Sequence, residues 1–242
     1  MVRVGIIGAG ELGSTMARTL AEKYSVTVSR REIEKVRDLK ERGVILTTDN
    51  REVAQRSDVV FVAVKPSKVI EVLRKVGDVL RGKLLISVAA AIPLRRLKEA
   101  IGGERVVRAM PNIAVMVRAG FTAYTASDNL AEEDIKLTEQ LLSEFGICMR
   151  VEEELMDAVT ALSGSGPAYV ATLIEAMAYA GLKVGLPREF AYKSSAYTVF
   201  GSAKLYLETG LHPAVIKEMV LTPAGTTIEG IFHLEESGIR TA

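Results

Sequence analysis

Glycines spaced as Gly8-x-Gly10-x-x-Gly13 follow an apolar run, Val2–Ile7, and open a stretch with helical spacing, Glu11–Lys23. A strand that turns through such glycines into a helix lets the helix pack closely back on it, because Gly13 has no side chain to hold them apart. The next strand is then reached by a crossover and runs parallel to the first. The chain keeps that alternation. Val26–Ser29, Val44–Thr47, Asp58–Val64, Lys83–Val88, Arg105–Met110 and Phe121–Thr125 read as strands, while Arg31–Arg42, Ser67–Leu80 and Ala131–Glu144 have helical patterns. The expected fold class is α/β, with an N-terminal Rossmann-type doubly wound sheet that is mostly parallel and covered on both faces.

The texture changes after Glu152. Leu155–Leu162, Pro167–Val184, Arg188–Glu208, Pro213–Val220 and Ala224–Glu236 have helical periodicity, separated by glycine- and proline-containing breakers. Two domains are predicted: residues 1–151 carrying the sheet, and residues 152–242, all helical. Several of the late helices are apolar on more than one face, as in Tyr169-Val-Ala-Thr-Leu-Ile-Glu-Ala-Met-Ala. Such a segment standing alone exposes apolar surface, so self-association through the helical domain is expected.

The turn Gly8, Ala9, Gly10, Glu11, Leu12 and Gly13 has the form that binds a dinucleotide, its pyrophosphate resting on the helix N-terminus. The cofactor is read at the end of the second strand. A carboxylate there would grip a ribose 2′-hydroxyl, but the chain offers Ser29, Arg30 and Arg31. A hydroxyl and guanidinium groups suit a 2′-phosphate, so NADP(H) is preferred and NAD(H) is possible. The alternative is that the arginines merely solvate the next helix. Lys65, in the run Ala63, Val64, Lys65, Pro66, is either near the nucleotide or a solvated surface lysine. Asn50 and the segment Ser87, Val88, Ala89, Ala90 follow other strands and are small enough for cofactor contact.

A chain with 31 basic and 30 acidic residues gives no reason to expect nucleic acid or a membrane surface as partner. The start of the chain lacks a signal-like pattern, and the longest apolar stretch is interrupted by Glu175, so a cytoplasmic location is expected. The single cysteine, Cys148, lies in a strand-like stretch and reads as a buried, inert thiol. His212 precedes Pro213 at a helix start and reads as a capping residue; His233 reads as a partly buried position on a late helix. No cluster of Cys, His, Asp and Glu has metal-ligand spacing, so no metal is expected.

Beyond the glycine turn, several segments occur in order: Ala63-Val-Lys-Pro66, Arg108-Ala-Met-Pro-Asn112, Leu162-Ser-Gly-Ser-Gly-Pro-Ala-Tyr169, Gly185-Leu-Pro187, His212-Pro213 and Pro223-Ala-Gly-Thr-Thr-Ile228. Across essentially its whole length the chain resembles the pyrroline-5-carboxylate reductases, which make proline by reducing a cyclic imine. The resemblance implies a dimer interlocked through the helical domain, in some cases dimers assembled further, with a substrate site near that interface. It places cofactor contacts on Gly8–Gly13, Ser29, Asn50, Ala63–Pro66 and Val88–Ala90. Substrate contacts fall on Thr222, Ala224, Gly225, Thr226 and Thr227, with Glu153, Ser163 and Gly164 nearby. The chain departs from the family where Ala224 replaces a usual glycine, where Ile113-Ala-Val-Met replaces a Thr-Pro continuation, and where it stops short of the usual final helix.

The chemistry implied is modest. Imine reduction needs a hydride donor, an anchor for the carboxylate and a favoured protonated nitrogen, with no nucleophile or covalent intermediate. The turn Thr222–Thr227 opens a helix whose free N–H groups suit a carboxylate, although ordinary capping by its threonines is the simpler use. The role of Thr227 at the imine nitrogen rests on the resemblance alone. Two other readings stand beside this one. A β-hydroxyacid-dehydrogenase-like oxidoreductase would use a helix lysine, for which Lys183 and Lys193 are available but lie in no such motif. A non-catalytic NADP-binding protein would have a damaged substrate turn, for which Ala224 and the short C-terminus are the only support.

Overall fold

The computed structural model describes residues 1–241; Ala242, the last residue of the expected helical domain, lies outside the described residues. Two compact units divide the chain, Met1–Ala168 and Tyr169–Ala242.

The first unit is built on eight strands: β1 (Arg3–Ile7), β2 (Ser25–Ser29), β3 (Ile45–Thr47), β4 (Val59–Val62), β5 (Leu84–Ser87), β6 (Val106–Pro111), β7 (Gly120–Ala126) and β8 (Gly146–Arg150). They form one sheet in the order β3-β2-β1-β4-β5-β6-β7-β8. All neighbours pair in parallel except β6 with β7. The central strands are buried on both faces, which is why they read as continuous Val, Ile and Leu runs rather than alternating ones. On one face Val4, Ile6, Val28, Phe61, Ile86 and Val107 meet Met16, Ala17 and Leu20 of α1 (Glu11–Leu20) and Leu141 and Leu142 of α5 (Glu132–Ser143). On the other, Ile7, Val60, Val62, Leu85 and Val106 meet α2 (Asn50–Arg56), α3 (Pro66–Leu80) and α4 (Leu94–Ile101) through Val53, Val69, Leu73, Leu97 and Ile101. This is the doubly wound arrangement expected from the sequence.

The structure revises several local expectations. Ile33–Arg42 is a 3₁₀ run with a kink at Val36, not an α-helix. Only Val36 and Leu39 of that charged segment are buried, so little tertiary packing holds it to a regular α-helix. The helix expected over Leu155–Leu162 is three pieces: a 3₁₀ turn Glu153–Leu155, the short α6 (Met156–Val159) and a π turn Thr160–Gly164. Cys148 is half-exposed on β8, the edge strand, rather than buried.

The second unit is helical. After α7 (Gly166–Lys183) come α8 (Arg188–Thr209), α9 (Pro213–Glu218) and α10 (Thr226–Glu236). Ala178, Ala191 and Ser195 are its buried residues, while Phe190, Tyr197, Phe200, Leu207, Met219, Val220 and Phe232 are exposed. An apolar groove of about 790 Å³ runs along α8 and α9, lined by Tyr197, Gly201, Tyr206, Pro213, Ile216 and Val220. Among the described residues no helix is long and apolar enough to cross a membrane.

Candidate active site

In an open α/β sheet the crevice for ligands lies beyond the C-terminal strand ends where the strand order reverses. Here that place is β1, which has β2 on one side and β4 on the other. Backbone hydrogen bonds extend the sheet past its strands at this edge. The N–H groups of Gly8 and Ala9 both donate to the Ser29 carbonyl, at 3.2 and 3.1 Å. Ala63 N–H donates to Ile7 O at 2.9 Å, and Val88 N–H to Val62 O at 3.1 Å. The glycine turn, Ser29, Ala63 and Val88 are thus stitched into one rim.

The turn is shaped by what its glycines lack. Gly8 sits at φ +102°, and a Cβ there would lie 2.6 Å from Val64 Cγ1 and 2.9 Å from the Ala63 carbonyl oxygen. A Cβ on Gly13 would lie 2.0 Å from the Gly8 carbonyl oxygen, so the helix approaches the turn too closely for any other residue. Gly10 caps α1 without a side-chain hydrogen bond, and the space where its Cβ would stand is open. The first N–H groups of α1 therefore face that opening unclaimed by a cap, as an anion requires. Glu11 is exposed at the first helical position and Leu12 is half-buried. A pyrophosphate fits this cradle.

At the end of β2, Ser29 is buried and its hydroxyl donates to Asn50 Oδ1 at 2.6 Å. Arg30 is half-buried and its Nη1 donates to the Ala9 carbonyl, so a guanidinium stands beside the glycine turn. Arg31 is exposed. No carboxylate holds the place where the ribose of NAD would be gripped, and the set Ser29, Arg30, Asn50 fits a 2′-phosphate. Val64 is half-buried; Lys65 and Pro66 are exposed, Pro66 being the first residue of α3. Val88 and Ala89 are buried and Ala90 half-buried. The Ser87 hydroxyl beneath them is the buried side-chain polar atom without a hydrogen-bond partner among the described residues.

Farther along the same edge Arg108 and Glu153 meet in a pairing, with Asp157, that their separation in the sequence does not indicate. Arg108 on β6 is buried, with Nη1 3.4 Å from Glu153 Oε1 and Nη2 3.1 Å from Asp157 Oδ1. Glu153 is half-buried, and its Oε1 also accepts from Leu94 N–H, at the start of α4, at 2.6 Å. Asn112 Nδ2 donates to Ser163 Oγ at 3.4 Å. Glu153, Ser163 and Gly164 are thus gathered at the end of β6, as parts of one segment. The available signal was an arginine inside an apolar strand, Val106-Val-Arg-Ala-Met.

In the second unit, the turn Thr222–Thr227 leads into α10. Gly225 is its N-cap, and Thr222 Oγ1 stands where a Cβ on Gly225 would be 2.2 Å from it. Ala224 lies at φ +56°, the left-handed region that favours glycine. Thr227 is half-buried; Thr222 and Thr226 are exposed. His212 caps α9, its Nδ1 accepting from Ala214 N–H at 3.2 Å, as its place before Pro213 implied. His233 is exposed on α10 beside Glu236, not partly buried. Among the described residues no group of three His, Cys, Asp or Glu is placed to hold a metal ion.

Comparison with known proteins extends these observations. Residues 153–242 match the family model described as pyrroline-5-carboxylate reductase dimerisation, and residues 3–91 match that of the coenzyme F420-dependent NADP oxidoreductases. The chain is 42% identical to a pyrroline-5-carboxylate reductase of Methanosarcina acetivorans, over 99% of this chain and 92% of that protein. The solved pyrroline-5-carboxylate reductase of Coxiella burnetii superposes with a TM-score of 0.91 at 32% identity, covering 99% of this chain and 92% of that one. A pyrroline carboxylate reductase of Plasmodium falciparum, solved with NADP bound, gives 0.88 at 28% identity, covering 99% and 91%. With likeness running through both the sheet and the helices, the chain belongs to the pyrroline-5-carboxylate reductase family.

Proposed function

We propose that this chain reduces 1-pyrroline-5-carboxylate to L-proline, the last step of proline biosynthesis, with NADPH preferred and NADH accepted less well. The observation that carries the reading is the open, uncapped N-terminus of α1 at Gly10, flanked by Arg30 where a dehydrogenase selective for NAD would carry an acid. Family membership supplies the substrate. Residues 1–151 act as the NADP-binding domain and residues 152–242 as the dimerisation and substrate domain, in a cytoplasmic homodimer.

The reduction adds a hydride to the imine carbon and a proton to the nitrogen. Bound NADPH supplies the hydride. The chain's own groups bind and orient. Gly8, Ala9, Gly10, Glu11, Leu12 and Gly13 hold the pyrophosphate through backbone N–H groups. Ser29, Arg30 and Asn50 meet the 2′-phosphate, and Ala63, Val64, Lys65, Pro66, Val88, Ala89 and Ala90 line the dinucleotide. The substrate carboxylate is received by N–H groups of the Thr222–Thr227 turn, supported by the glycine N-cap of α10, which leaves the backbone open to approach. The Thr227 hydroxyl hydrogen-bonds the imine nitrogen and assists its protonation. Glu153, Ser163 and Gly164 complete the substrate contacts. The exposed aromatic and aliphatic side chains of α8, α9 and α10 support association with a second copy. The reading is tested by following NADPH oxidation on addition of pyrroline-5-carboxylate to the purified protein.

A further inference from the structure

Arg108 is a charge in a strand that is otherwise apolar, and its side chain is only 6% exposed. A guanidinium out of water is stable only where acceptors meet it. Its acceptors are Glu153 and Asp157, at 3.4 and 3.1 Å, which belong to the 3₁₀ turn and to α6, just ahead of the π turn Thr160–Gly164. The next positions on the same face of the chain meet that π turn. Met110 Cε lies where a Cβ on Gly164 would be 2.8 Å away, and Asn112 Nδ2 donates to Ser163 Oγ. Arg108, Met110 and Asn112 therefore grip successive parts of the segment 153–164. Asp157 is 88% exposed, so its pair with Arg108 adds little stability of its own. What the pair fixes is where the segment lies. A π turn is a local widening of a helix that recurs at functional sites.

We propose that Arg108 is a positioning residue for the imine substrate: by holding Glu153 and Asp157 it sets where Ser163 and Gly164 stand. The inference rests on the proposed function, which gives Ser163 and Gly164 to the substrate. Arg108 lies on β6 and pairs with Ser87 at the end of β5, but its side chain grips the segment 153–164, which the proposed function gives to the imine rather than to the dinucleotide.

The test is steady-state kinetics of the wild type, Arg108→Met, Arg108→Lys, Asp157→Asn and the double variant Arg108→Met/Asp157→Asn, with circular dichroism for folding. Arg108→Met should raise KM for pyrroline-5-carboxylate about tenfold and leave KM for NADPH within about twofold, because misplacing a substrate-orienting element affects one substrate alone. Arg108→Lys should recover part of the loss. Asp157→Asn should raise the imine KM less, and the double variant should be no worse than Arg108→Met, because the two act through one contact. An unchanged imine KM in Arg108→Met, a parallel rise for both substrates, or additive effects in the double variant would overturn the role of Arg108 while wild-type turnover left the proposed function standing. If Arg108→Met does not fold, Asp157→Asn decides alone, and a wild-type imine KM there overturns the inference. A wild type without imine turnover would overturn both.

Discussion

Arg30 donates a hydrogen bond from its guanidinium to the carbonyl oxygen of Ala9, binding the end of β2 to the glycine turn after β1. One side chain thus ties the glycine turn to the end of β2 and, on the proposed function, brings positive charge to the place that separates NADP from NAD. Charge-assisted hydrogen bonds to a phosphate contribute about 1.5–3 kcal/mol, so Arg30→Glu should lower the preference for NADPH over NADH by about tenfold or more. The measurement is the ratio of kcat/KM for the two donors. Unchanged selectivity would remove Arg30 from 2′-phosphate recognition.

Thr227 is the second residue of α10, behind the N-cap Gly225. General acid assistance contributes at least about 100-fold in typical cases, so Thr227→Ala should reduce kcat on that order while KM for NADPH stays near the wild-type value. Wild-type turnover in this variant would exclude the hydroxyl from proton delivery.

Ala224 stands in a left-handed conformation, φ +56°, the region that favours glycine. An L-residue with a Cβ is strained there by about 1–2 kcal/mol, partly offset by the greater chain entropy that glycine loses on folding. Ala224→Gly should therefore raise stability by about 0.5–1 kcal/mol, read from the denaturant midpoint, with activity retained. A lower midpoint would show that the turn is relaxed with alanine.

The helical unit buries few of its own side chains, and exposes Phe190, Tyr197, Phe200 and Phe232. Light scattering at micromolar concentration should find a dimer or larger. A stable monomer would contradict the account of residues 152–242.

Much of this was legible in the sequence because the informative signals are local. The glycine spacing and the Val-rich runs sufficed for a parallel sheet, since burial on both faces leaves little choice of residue. Ser29 and Arg30 were readable as a strand end without a carboxylate, and both contact the glycine turn. Other features depend on distant parts of the chain. The short helix α4 is the exception, since Leu94, Leu97 and Ile101 recur at helical spacing. Asn50–Arg56 has a cap signal in Asp49, but with only Val53 and Ala54 buried it is too short to show an apolar period. The break of Leu155–Leu162 into 3₁₀, α and π pieces has no periodic signature at all. It accompanies contacts with Arg108 and Asn112, roughly 45 to 50 residues earlier in the chain.

The central claim is that an NADPH bound on the α1 N-terminus reduces a small cyclic imine. Loss of nicotinamide absorbance on mixing the protein, NADPH and pyrroline-5-carboxylate, run beside NADH and with proline identified as product, tests it most directly. The account predicts oxidation of NADPH that depends on the imine, faster than with NADH, and yielding one proline per nicotinamide consumed. Absence of imine-dependent oxidation with either nucleotide, from a protein shown to be folded and to bind NADPH, would contradict it.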